Sequence, residues 1–169
     1  MNFLDLFPTI DLFILFLFVV VVLLHLVFVK KTKLLVCILS IYVSFFLLVI
    51  VPMFSIQALS WLQIHPYIRV TAFVGLSIIL YILLAFSNLG EFSKKVSPSQ
   101  FVTSLVYRMA ITGLFFTTVL YFLPVSLTSQ FGVLVKTLFM NLIALFIWFV
   151  IPFLLVFEYR FHTRRGWVE

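Results

Sequence analysis

Apolar residues in this chain come in long unbroken runs separated by short polar stretches, and each run has the length of a membrane-crossing helix. About 20 apolar residues cover the hydrocarbon core of a bilayer. The first run occupies 12–29 and ends at Lys30, Lys31 and Lys33. Its β-branched stretch Val19, Val20, Val21 and Val22 would weaken a helix in water. In lipid every backbone group must pair internally, so a helix is expected. The second run, 34–51, is closed by Pro52, and the short basic link makes the two spans an antiparallel hairpin. The third covers 66–86, with Pro66 suited to a first helical turn and Arg69 able to extend its head outward. The fourth, 104–123, is entered through Ser97-Pro98-Ser99-Gln100, which has the form of a capping box with proline at the first helical position. Pro124 stops it. The fifth, 133–157, has Lys136 in its first turn, and Pro152 is expected to kink it.

The pattern therefore predicts an all-α, polytopic transmembrane bundle of five spans, with 1–169 as one integral membrane domain. Between the second and third spans, Gln57, Ser60 and Gln63 recur every third residue beside Ile56, Leu59 and Leu62. That spacing predicts a short amphipathic helix lying in the interface, with Trp61 at headgroup level.

Composition agrees. Of the residues 65% are hydrophobic and 9% charged, against roughly a quarter charged in a soluble domain. The net charge is +6. In a soluble chain that would point toward nucleic acid. Here the cations lie between apolar runs, where they set orientation and meet anionic headgroups, so the bilayer is the expected partner and nucleic acid is not. An N-terminus outside puts Lys30, Lys31, Lys33, Lys94, Lys95, Arg160, Arg164 and Arg165 on the cytoplasmic side, with Arg108 near that boundary. Only Arg69 and Lys136 remain outside. The first run has an acidic leader with Asp5 and Asp11 and no small-residue cleavage site, so it reads as a retained span. The expected location is a bacterial inner membrane, with the C-terminus in the cytoplasm.

Candidate chemistry is sparse. Cys37 is the only cysteine, which excludes an internal disulfide and a cysteine zinc site. His25 is the one histidine inside a run, without a second histidine or a carboxylate to relay to. A neutral, hydrogen-bonded side chain is the expected role. Asn141 shares a helical face with Ala144, Trp148 and Pro152, and polar groups in lipid join helices more often than they line paths. Small residues form stripes at Ser40 and Ser44, at Thr71 and Gly75, and at Ala110, Gly113 and Thr117, where backbones can approach closely. Leu114 is expected off the last of these. Neither a catalytic constellation nor a cofactor motif is found, and an enzyme is not expected.

From Asp11 to Met53 the chain resembles the opening hairpin of the colicin V production protein family. The matching pieces are Asp11-Leu12 at the mouth of the first span, the turn Lys30-Lys31-Thr32-Lys33, and the second span. The glycines that flank that family's basic turn are absent. The resemblance covers about a quarter of the chain and implies an inner-membrane protein. The functional expectation is a scaffold or accessory subunit that contacts other membrane proteins or itself. The alternative is a small transporter or channel subunit, with Thr112, Thr117, Asn141 and His25 lining a path.

Overall fold

The computed structural model describes residues 9–50, 66–89 and 101–164. The interfacial segment 55–64, the capping box 97–100, and Lys94, Lys95 and Arg165 lie outside them. The described chain is an all-α bundle. Helix α1 (Thr9–Phe28) is followed by a 3-10 turn at Lys31–Lys33 and by α2 (Leu34–Ile50). Then come α3 (Pro66–Phe86) and α4 (Phe101–Phe122). These four helices are long and apolar enough to cross a membrane.

The last part of the chain is broken into pieces. A short helix α5 (Val125–Thr128) follows Pro124. Helix α6 (Val133–Val135) runs into a π turn, Lys136–Met140, and α7 (Leu142–Arg164) ends the described residues. The pieces on either side of Asn141 meet at 46° and make a fifth span if they cross as one.

This corrects the expectation of one helix over 133–157 bent at Pro152. The sharp bend is at Asn141, whose backbone is extended at φ −69 and ψ 145. Its N–H closes the π turn on Lys136 O at 2.8 Å, and its own carbonyl takes the first bond of α7 from Leu145 N at 2.8 Å. Asn141 therefore stands where an N-cap stands, a position that asparagine favours. The Trp148 indole N–H donates to Leu138 O at 2.8 Å, giving a carbonyl in the π turn a side-chain donor. Helix α7 continues through Pro152. Tyr42 and Tyr107 donate hydroxyl hydrogen bonds to Phe149 O and Leu155 O, on either side of that proline.

Helix α4 lies at the centre and touches α1, α2, α3 and α7. Its small and hydroxylated residues explain this placement. Ser104, Ala110, Thr112, Gly113, Thr117 and Thr118 are all buried, and they let neighbouring backbones come close on several sides. Leu114 is fully buried in the core with Phe73, Ile111 and Phe122, not off the packing surface as its position beside the stripe implied. Between Ala110 and Leu120 every residue of α4 is buried or partly buried, so this stretch has no free face for it. A second cluster forms around Phe116, Leu120, Val135 and Phe139, with Phe18 and Trp148 against it.

Candidate functional site

Three charged residues, Asp11, Arg108 and Lys33, each join a helix end to another element. Asp11 is fully buried near the start of α1. Its carboxylate accepts from Gly132 N at 2.6 Å, Leu134 N at 3.1 Å and Val135 N at 3.4 Å. The first N–H groups of a helix lack partners within it, and their dipoles favour a negative charge there. Asp11 thus caps α6 from another helix.

The opposite end of α1 is held by a cation. Arg108 of α4 is 3% exposed. Its guanidinium donates to His25 O and, at 2.8 Å, to Val29 O, while Nε donates to Ser104 Oγ at 3.3 Å. The last carbonyls of a helix lack internal donors and carry partial negative charge, which a guanidinium fork matches. Arg108 is therefore a buried clamp and does not extend toward water. Nearby, Lys33 Nζ donates to Ala85 O at 2.7 Å, closing the end of α3. This lysine end of the bundle also carries the last turns of α7, where Arg160 and Arg164 fall.

The stripe residues divide. Ser40 and Ser44 are buried and donate to Cys37 O at 2.8 Å and Ser40 O at 2.7 Å, within α2. Gly113 faces Trp148 so closely that an added Cβ would overlap the indole ring. Gly75 has no atom of another described element within 4 Å of where a Cβ would stand, and Thr71 is exposed, donating to Tyr67 O at 3.0 Å. Helix α3 instead docks through Phe73, Val70 and Val74.

His25 and Thr112 fall in one cleft, and Thr117 and Asn141 in two adjoining pockets that share Val125, Thr128 and Met140. His25 and Thr112 line a cleft of about 250 Å³ toward the lysine end, with walls from α1, α2, α3 and α4. Thr117 lines a cavity of about 180 Å³ toward the Asp11 end, with its hydroxyl unpartnered. Asn141 is exposed at the helix break, beside Ser129, Lys136 and Thr137, on an open pocket of about 460 Å³. The roles of Asp11 and Arg108 had no local signal, because each partner lies far along the chain. Their only mark was an ionisable residue at the end of an apolar run. Compared with protein-family models, curated proteins and solved structures, the chain matches none.

Proposed function

We propose that this protein is a scaffold or accessory subunit of the membrane, acting through helix–helix contact with other membrane proteins or with a second copy. The observation that supports it is the engagement of the two buried charged residues. Asp11 and Arg108 are both committed to backbone groups of neighbouring helices. A carrier needs a charge-bearing group along its path; His25 is the histidine left for that role, and it lines a cleft apart from the adjoining pockets of Thr117 and Asn141. Meanwhile α1 and α3 turn large apolar side chains outward, among them Phe13, Phe16, Val27, Ile79 and Leu83.

The proposed setting is a bacterial inner membrane, with the lysine end cytoplasmic, as an excess of cations at one end favours. The resemblance to the colicin V production family belongs to the same proposal. Mild-detergent purification of the tagged chain tests the function. A defined membrane protein, or a second copy, should accompany it in fixed ratio. A bare monomer at all protein concentrations would sink the reading. Reporter fusions at 30–33 and at the C-terminus should both report cytoplasm.

A further inference from the structure

We infer that the cleft lined by α1, α2, α3 and α4 holds one acyl chain of an anionic phospholipid, whose phosphate rests on Lys30 and Lys31. The inference goes beyond the scaffold reading and does not depend on it. Helix α1 packs mainly on α4 and α6, and α3 mainly on α2 and α4, which leaves a gap of about 250 Å³ between α1 and α3. Val21, Ile41, Val74, Ile78, Ile111 and Phe115 supply much of its wall. Ser40, Ser77 and Thr112 stand among them but are buried, and Ser40 donates to Cys37 O, so the surface presented is almost wholly apolar. Such a surface offers water no hydrogen-bond partners, and it would bury a charged head without a counter-ion. Left empty, it would forfeit the contacts of its lining. In a bilayer a slender hydrocarbon chain is at hand to make them.

The way out of the cleft gives the rest of the lipid its place. Ile78 is 55% exposed at the edge. About one turn farther toward the lysine end, Ile82 on α3 and Phe28 on α1 are exposed as well, at the helical spacing that continues the faces of Ile78 and His25. This apolar rim leads to Lys30 and Lys31, both exposed at the turn that follows α1. Lys33 is committed to Ala85 O, so the other two carry the free ammonium groups of that turn. Exposed lysines beside a span attract anionic headgroups. From Lys30 back to Val21 the chain rises about 14 Å as a helix, close to the depth of one leaflet of the hydrocarbon core. The cleft therefore occupies the stretch that one acyl chain fills below a phosphate held at the lysine turn.

The test uses the full chain in phosphatidylcholine vesicles that hold a small share of phosphatidylglycerol, with a photoactivatable diazirine midway along one of its acyl chains. After illumination, adducts should concentrate on Ile41, Val74 and Ile78 in the cleft, over Phe153 and Leu154, which are exposed on α7. The same diazirine on phosphatidylcholine should label the cleft about tenfold less, and changing Lys30→Gln together with Lys31→Gln should lower the phosphatidylglycerol signal as much. Arginine at both positions should keep it, which separates charge from fold. Ile78→Trp, which fills the mouth, should clear Ile41 and Val74 of label and leave Phe153 unchanged. Native mass spectrometry of the isolated chain should find phosphatidylglycerol retained on it. Label spread evenly around the bundle would overturn the proposal, as would equal labelling by the two lipids or a signal indifferent to both lysines. So would a lipid-free dimer, which would give the cleft to a second copy. Because the isolated chain is used, failure to capture a partner protein leaves this result standing.

Discussion

Helices α3 and α4 carry the same sequence signal and use it differently. Each has glycine and threonine at helical spacing, Thr71 with Gly75 and Gly113 with Thr117. Along its most apolar stretch α4 is 67% buried, and α3 only 11%. Gly113 lies against an indole ring, whereas Gly75 faces open space. A small residue permits close approach but does not create it. The approach needs something large on the other side, and Trp148 supplies it for α4 because the break at Asn141 sets the angle of α7 and Leu138 O receives its N–H. Helix α3 finds its contact with one large side chain of its own, Phe73, which is 0% exposed.

The strongest test of this contrast is Arg108→Leu. It removes the donors to His25 O and Val29 O from the centre of the bundle. Charge-assisted hydrogen bonds are worth roughly 1.5–3 kcal/mol each, so about 3–6 kcal/mol of stability should be lost. Thermal unfolding in detergent should show it. Arg108→Lys should recover only part, since one ammonium cannot reproduce the planar fork. A wild-type melting curve for Arg108→Leu would mean that α1 is held without its clamp.

Phe73→Ala comes next, because it asks whether α3 docks through its aromatic side chain. Phe73 packs beside Phe115 and Phe122, with ring centroids 5.7 Å apart in both cases. In lipid the transfer part of the cost shrinks and the cavity part remains. The expected loss is about 2–3 kcal/mol, below the usual range for a phenylalanine buried in a water-soluble core. Cross-linking between α2 and α3 should weaken in parallel. An unchanged α3 would show that Phe73 fills space without holding the helix.

Gly113→Leu should cost about 1–3 kcal/mol through overpacking against Trp148. Adding Trp148→Ala should return part of that loss, because the two sites touch and their effects cannot be additive. Additive losses would place the strain elsewhere on α4. Leu114→Phe is no mild control here, as Leu114 is 0% exposed.

These outcomes bear on what the sequence makes legible. Runs of apolar residues are a local property, so four of the five expected spans coincide with helices to within a few residues. The fifth run reads as one span despite Lys136 and Asn141, and its break depends on a π turn and on Trp148 reaching back ten positions. Asp11 and Gly132 are 121 positions apart, and Arg108 and His25 are 83 apart. Nothing in either neighbourhood encodes such a pairing. His25 stood out as the lone histidine in a span, but nothing near it in the sequence showed that three further helices would wall the cleft it lines.

The smallest effect belongs to Gly75→Leu, and it is the one that separates the two helices most cleanly. No atom of another described element lies within 4 Å of the position a Cβ would take, so the branch point of the new side chain meets no neighbour. The backbone there is ordinary helix. Leucine has a better helical propensity than glycine by several tenths of a kcal/mol, which favours the variant slightly. A longer apolar side chain facing lipid adds no desolvation cost. The net change should therefore stay within about 0.5 kcal/mol of zero, with a lean toward stabilisation. Measured in the same detergent as Gly113→Leu, the two glycine replacements should differ by more than 1 kcal/mol. If Gly75→Leu is as harmful as Gly113→Leu, then the outer face of α3 is covered in the membrane by something that packs against it. A second copy of the chain would then be the first candidate, and the loss should vanish when the protein is diluted to monomers.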